Sequence, residues 1–226
     1  MRWQTLWQAK WILLVLTLLA TGALKFYAPL AVLPGALILF TLYFFRDPRR
    51  FSPHGMGIIV SPADGTVADI VEIDETELTG ARMRRVGIFL SVFDVHVNRA
   101  PAKCRVVYTS PHDGDYHDAR SPAASTHNTA RTWGFDCDGT MIVVRQITGA
   151  IARRIVPWAM LGDRLERGQH FGMIRFGSRT EIYLPLDAKV MVRVGDKVAG
   201  ASSVIARMVD KSTLSRNIPT KNKFHA

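Results

Sequence analysis

Phe176-Gly177-Ser178-Arg179-Thr180-Glu181-Ile182-Tyr183-Leu184 carries a glycine turn directly into a run rich in β-branched and aromatic side chains. Glycine accepts backbone angles closed to residues with a Cβ, and Glu181–Leu184 has the texture of a strand. The stretch predicts a turn that feeds a strand. Val67–Ile73, Val86–Val92, Cys104–Thr109, Met141–Ile147 and Val190–Val194 share that texture. Asp64-Gly65, Asp113-Gly114, Asp138-Gly139 and Gly195-Asp196 punctuate them as turns. Ala119–Thr132 and Pro157–Arg167 lack it, and the second has room for a short helix. The expected fold is mostly β (α+β), a β sandwich or barrel-like domain with few helices.

Ser61–Val67 and Val194–Gly200 resemble the hairpin segments of lipoyl- and biotin-carrier domains. Lys197 lacks the flanks of a carrier lysine, so the shape is taken without the function.

The first 45 residues read differently. From Trp11 to Phe45 the chain is nearly all apolar, broken by Lys25, and no Asp or Glu precedes Asp47. Trp11–Leu24 is short for a membrane span, whereas Phe26–Phe45 is about long enough for ~30 Å of hydrocarbon. Pro29 and Pro34-Gly35 interrupt the second run, which allows a kinked or re-entrant path. Arg2 and Lys10 precede the pair, and Arg46, Arg49 and Arg50 follow it. The positive-inside bias then keeps both flanks cytoplasmic, with Lys25 at the outer turn. The expectation is a membrane-associated helical hairpin over 1–45, a folded domain over 46–210 and a basic tail over 211–226. A secretory signal peptide is the rival reading. The second apolar run and the lack of a small-x-small cleavage site count against it.

The formal net charge is +10. No aromatic-basic interleaving or helix-turn-helix pattern points to nucleic acid, and anionic lipid is the simpler partner. Lys211, Arg216, Lys221 and Lys223 make either a lipid-facing arm or a solvated end. Cys104 and Cys137 are the only cysteines and lack metal-ligand spacing. They fit a reducing compartment and are expected to pack as small apolar groups.

Three residues stand out as carriers of chemistry. For Ser178 to attack its own preceding carbonyl, the peptide must reach a strained geometry that Gly177 permits. On the dipeptide alone, a turn before a strand is the simpler reading. His96 lies in Phe93-Asp94-Val95-His96-Val97-Asn98-Arg99-Ala100-Pro101. In a strand, Asp94, His96 and Asn98 share one face. That pattern suits a lined pocket with a proton carrier and equally a wet edge strand. Asp64 is explained by turn chemistry, or else it orients a histidine as in serine-based triads. His112, Asp113, Asp115, Tyr116, His117 and Asp118 form the densest polar cluster. Metal binding is conceivable there, but Gly114 and the flanking β runs favour a solvated loop, and no metal site is assigned. His127 and His170 have no partner visible in the sequence.

Four blocks in order resemble one family. They are Phe44-Phe45-Arg46-Asp47-Pro48-Arg49-Arg50, Ser61-Pro62-Ala63-Asp64-Gly65, Phe93–Pro101 and Phe176-Gly177-Ser178-Arg179. Together they look like the phosphatidylserine decarboxylase family in its short bacterial and archaeal form, over about Phe44 to Val209. The resemblance implies a proenzyme that cuts itself at Gly177–Ser178, leaving a β chain of 1–177 and an α chain of 178–226. Ser178 would become a covalent pyruvoyl cofactor. That group would form a Schiff base with the substrate amine, release CO2 and yield phosphatidylethanolamine. The Asp-Gly block maps onto Asp64 and the histidine block onto His96, giving a triad Asp64–His96–Ser178. Longer members carry a second histidine three residues on, where this chain has Arg99. The resemblance therefore leaves open whether His96 serves maturation, decarboxylation or both, and which base drives cleavage. It implies a phospholipid partner at the cytoplasmic side of the cell membrane. Phosphatidylserine and archaetidylserine remain alternatives as substrate, and a homo-oligomer remains open. Arg99, Arg131, Arg145 and Arg179 are equal candidates for the lipid phosphate. Two other readings predict an uncut chain. One is a membrane-anchored β domain that binds lipid without catalysis. The other is a membrane serine hydrolase built on Ser178, His96 and Asp64.

Overall fold

A computed structural model describes residues 3–150, 154–175 and 177–208. The predicted basic tail over 211–226 lies outside the described residues, as does Arg2.

The apolar start is a helical hairpin whose arms have the opposite lengths to those expected. Helix α1 spans Trp3–Phe26, a 3-10 turn spans Ala28–Ala31 and α2 spans Val32–Phe44. Nothing stronger than Gly22 interrupts α1, so it runs through Trp11 from its polar start. Pro29 confines the next residues to a tight turn. Pro34 falls in the first turn of α2, where its missing N–H costs nothing. Gln4–Phe26 is the one helix long and apolar enough to cross a membrane among the described residues. Trp7, Trp11, Leu18, Leu19 and Phe26 are exposed on it. Thr17 and Thr41 donate their hydroxyls back to Leu13 O and Leu37 O, each at 2.7 Å, so neither is orphaned in an apolar setting.

The hairpin docks directly on the β domain. Phe44 and Phe45 are fully buried with Ala9, Val156 and Met173. Arg175 donates to Gln8 O at 2.7 Å, and Arg46 donates to Phe93 O at 2.6 Å.

Beyond Phe45 the chain is mostly strand. In order come β1 (Ile58–Val60), β2 (Gly65–Glu75), β3 (Ala81–Leu90), β4 (Val97–Arg99) and β5 (Cys104–His112). Helix α3 (Pro122–His127) precedes β6 (Ala130–Cys137), β7 (Thr140–Ile147), β8 (Arg154–Pro157), β9 (Arg164–Leu165) and β10 (His170–Arg175). Then follow β11 (Ser178–Pro185), β12 (Lys189–Val190), β13 (Lys197–Val198) and β14 (Val204–Arg207). Eight strands form one antiparallel sheet in the order β13-β2-β3-β11-β7-β6-β5-β9, curled into a half-barrel. Two three-stranded sheets, β4-β10-β8 and β1-β14-β12, complete the domain. The mostly-β expectation holds. Trp133 and Phe135 both pack edge-on against Phe171 at 5.2 Å between centroids, at the centre of the core.

Asp138-Gly139 makes the β6–β7 hairpin turn with φ of 52° and 81°, the left-handed pair that a two-residue hairpin requires. The two carrier-like segments pair with each other, Lys197 opposite Thr66 and Val198 opposite Gly65.

Three segments depart from the sequence reading. Pro157–Arg167 holds no helix: Val106 N–H donates to Asp163 O and Gly162 N–H to Val106 O, so the segment is drawn along β5 instead. Ala119–Thr132 contains α3, capped by Ser121 through Ala123 N–H at 3.2 Å with Pro122 in the first turn. It also contains the start of β6. Of Val190–Val194 only Val190 is strand, as the end of β12.

Candidate active site

Gly177 enters β11 with φ of +62°, the left-handed region that disfavours a Cβ. A second glycine makes room for its carbonyl. A Cβ on Gly149 would lie 2.6 Å from Gly177 O, well inside van der Waals contact. Ser178 follows as the first residue of β11, opposite Leu90 of β3. It is fully buried, and its Oγ makes no hydrogen bond. A buried hydroxyl without a partner carries a desolvation cost of about 1–3 kcal/mol. Such a group in a native core calls for a reason.

The next residue clamps the strand. Arg179 is buried and paired with Asp69 and with Glu181, whose Oε1 accepts from its Nε at 2.7 Å. Glu181 also accepts from Ser125 Oγ and Tyr183 OH, each at 2.7 Å. Arg179 is thus committed to the scaffold, as is Arg145 through Ser125 O at 3.0 Å.

His96 meets the Gly177–Ser178 junction from a distant part of the chain. Its Nε2 accepts from Gly177 N–H at 3.1 Å, and its Nδ1 lies 2.9 Å from Asp94 O. The two contacts agree on one tautomer, with the proton on Nδ1 and a lone pair on Nε2. His96 is fully buried, and the Phe44 ring sits 4.4 Å from its own. Burial pushes its pKa down to about 4, against a smaller opposing pull from Asp94. The imidazole is therefore neutral at physiological pH, and its Nε2 lone pair is held on the N–H of the residue whose carbonyl forms the Gly177–Ser178 peptide bond.

The expected shared face of Asp94, His96 and Asn98 is not formed as a strand. The strand begins only at Val97, because Asp94 folds back to accept from Ser91 N–H at 2.8 Å and Ser91 Oγ at 2.7 Å. That turn aims the Asp94 carbonyl at the imidazole. Asn98 does face the site: its Nδ2 donates to Thr180 Oγ1 at 3.1 Å and its Oδ1 accepts from Gln146 Nε2 at 2.7 Å. Gln146 Oε1 in turn accepts from Trp133 Nε1 at 2.7 Å. Thr180 shares the face of β11 with Ser178 by the two-residue repeat.

Asp64 stands apart from this contact. Its carboxylate pairs with Arg50 and accepts from Gly200 N–H at 2.8 Å. Burial raises its pKa despite Arg50, and the charges of Asp94 and Arg99 both act on it. Arg99 pairs with Asp47 at 2.5 Å and donates to Gly168 O at 3.1 Å. It ties the Phe-Phe-Arg-Asp-Pro block to the domain and lines a cavity of about 770 Å³ with Arg49, Arg50 and Arg167. Arg131 donates to Thr109 Oγ1 at 3.1 Å. Of the polar cluster, His112 pairs with Glu77 at 2.7 Å and His117 with Asp115 at 3.4 Å. Among the described residues no group of three ligand-type side chains is placed to hold a metal ion. His170 lies 3.3 Å from Asp47.

Phe44, Gly149, Gln146 and Thr180 belong to the site without having been singled out by sequence. Phe44 was legible as the end of an apolar run. Gly149 offers no sequence signal, since its role is a steric one toward a residue far along the chain.

Residues 37–206 match the sequence family described as phosphatidylserine decarboxylase. The chain is similar to a protein of Symbiobacterium thermophilum named phosphatidylserine decarboxylase proenzyme, 44% identical over 194 residues covering 85% of this chain and 90% of that protein. A protein of the same name from Carboxydothermus hydrogenoformans is 43% identical over 88% of this chain and 93% of its own length. One from Rhodopirellula baltica is 43% identical over 86% and 82%.

Proposed function

The chain belongs to the phosphatidylserine decarboxylase family, a family of carboxy-lyases, and from that premise we propose that it matures by cutting its own backbone between Gly177 and Ser178. The observation that carries the reading is the buried Ser178 Oγ with no hydrogen bond, beside a left-handed Gly177. A desolvated, uncommitted hydroxyl is available to attack the Gly177 carbonyl. The C–O bond forms as the Gly177–Ser178 C–N bond breaks, and the hydroxyl proton passes to the Ser178 nitrogen. Removal of the Ser178 α-proton then expels the Gly177 carboxylate from Cβ. The dehydroalanine left behind takes up water and loses ammonia to give the pyruvoyl ketone. Residues 1–177 and 178–226 become separate chains held in one fold by the pairing of β11 with β3 and β7.

His96 is the base we assign to this site. Its Nε2 lone pair is fixed toward the junction, and its depressed pKa keeps it unprotonated. Asp64 is assigned as a positioning carboxylate. Its bonds to Arg50 and Gly200 N–H join the Asp-Gly turn to the segment after the hairpin, and its charge is felt together with that of Asp94. Ser178 begins a strand buried on both faces, so a group formed there is shielded from bulk water. When present, the pyruvoyl group supplies the electron sink for loss of CO2 from the serine headgroup of the phospholipid. The protein supplies orientation and proton transfer. A lipid substrate requires an active site at the bilayer surface, and the hairpin places Phe44 both at the end of the apolar segment and against His96. With Arg46, Arg49 and Arg50 at that boundary, the domain sits on the cytoplasmic side.

Denaturing electrophoresis with mass spectrometry of the purified protein tests the reading. Two chains are expected, the shorter one starting at position 178 without a free amine. A single chain with unmodified Ser178 overturns it.

A further inference from the structure

Cys104 and Cys137 lie 33 positions apart and are the two cysteines of the chain. The sheet makes them neighbours. Cys104 opens β5 and Cys137 closes β6, and the antiparallel ladder sets Arg105 opposite Asp136. One step along the same ladder, Cys104 stands opposite Cys137. Both thiols are free, and Cys137 Sγ lies 3.8 Å from Phe135 O. Directly opposed residues of an antiparallel pair have Cβ atoms about 4.5–5.5 Å apart. A disulfide needs about 3.5–4.5 Å, so the strands need to close by only about 1 Å.

Cys104 also borders open space. It lines a cavity of about 410 Å³ at the sheet edge, where Lys103, Arg105 and Arg164 are matched by Asp136, Asp138 and Glu166. We propose that Cys104 and Cys137 are a redox-active pair that closes to an intrachain disulfide by exchange with a small-molecule disulfide of the glutathione type. The Cys104 thiolate attacks one sulfur of the reagent, forming a mixed disulfide and expelling one thiolate. Cys137 loses its proton and attacks the Cys104 sulfur, expelling the second. The protein gives up two electrons and two protons, and one reagent disulfide becomes two thiols. The neighbouring Cys104 thiol and burial both push the Cys137 pKa up. Cys104, the one of the two that lines the cavity, is the first nucleophile. Both residues precede Gly177, so the inference is independent of backbone cleavage.

The test is to hold the purified full chain in glutathione buffers of increasing oxidised fraction, alkylate the remaining thiols and map the peptides. The expected result is joint loss of both thiols, a mass lower by two hydrogens, a linked Cys104–Cys137 peptide and full reversal by dithiothreitol. In Cys137→Ser, glutathione stays on Cys104 as a stable mixed disulfide. Thiols that both remain alkylatable in excess glutathione disulfide overturn the proposal. So does accumulation of glutathione adducts or linked dimers without the internal bond.

Discussion

His96 Nε2 accepts a hydrogen bond from Gly177 N–H at 3.1 Å across 81 positions of sequence. The contact fixes the imidazole tautomer and holds the residue that precedes Ser178. It joins the end of the apolar hairpin, through Phe44, to the start of β11.

Ser178→Ala removes the hydroxyl proposed as nucleophile. The variant is expected to remain one chain of full length without decarboxylase activity. Its stability should match or exceed that of the uncut wild type, because the lost Oγ has no partner. Electrophoresis with a release assay for CO2 checks it, and efficient cleavage of the variant removes Ser178 from its role.

Gly149→Ala places a Cβ 2.6 Å from the Gly177 carbonyl oxygen. The carbonyl must move, so cleavage is expected to slow at least tenfold while the sheet still forms. Gly177→Ala forces a Cβ into a left-handed backbone, at a cost of about 1–2 kcal/mol. Cleavage rates followed by electrophoresis, beside denaturant midpoints, separate the local effect from lost stability. Wild-type cleavage in Gly149→Ala would contradict the steric role.

His96 has a pKa near 4 in the folded chain against an ordinary value of 6.5. The unfolded chain therefore binds the proton first as pH falls. Stability from this residue is intact above about pH 6.5 and is lost progressively down to about pH 4. The loss is on the order of 3 kcal/mol. Urea titrations should show a shallower acid decline in His96→Gln than in wild type. An unchanged pH slope would mean that His96 is not held neutral. In the wild type, cleavage is expected to be flat from pH 8 to 5 and to fail near 4.

Phe44→Ala opens a cavity against His96 and the Ala9–Met173 cluster. A loss of about 3–5 kcal/mol is expected from a buried aromatic truncated to alanine. Water admitted beside the ring should raise the histidine pKa toward 6.5. The acid limit of cleavage then moves upward, an effect that plain destabilisation does not produce. An unshifted limit would show that Phe44 only packs.

Asp64→Asn keeps the shape of the turn but removes the charge facing Arg50. Cleavage is expected to slow with the chain still folded, and Arg50→Gln should reproduce part of the effect. Wild-type cleavage in Asp64→Asn would assign the carboxylate to the scaffold alone.

The local chemistry of the sequence determined much of this protein. Alternating β-branched runs and Asp-Gly turns specify a mostly-β domain, and an apolar stretch free of acids specifies the hairpin. Gly177-Ser178 marks its own junction, because a positive φ is a local demand that only glycine meets cheaply. The arm lengths of the hairpin are not legible in composition, which changes at Trp11, whereas helix formation continues through residues that keep their N–H. Only the tertiary structure decided what meets Ser178. His96, Phe44 and Gly149 reach the junction through strand pairing and packing over long separations, where adjacency depends on the register of the whole sheet. The same register set Cys104 opposite Cys137 and committed Arg99 and Arg179 to buried ion pairs, since a charged side chain in a core must be paired wherever the fold puts it.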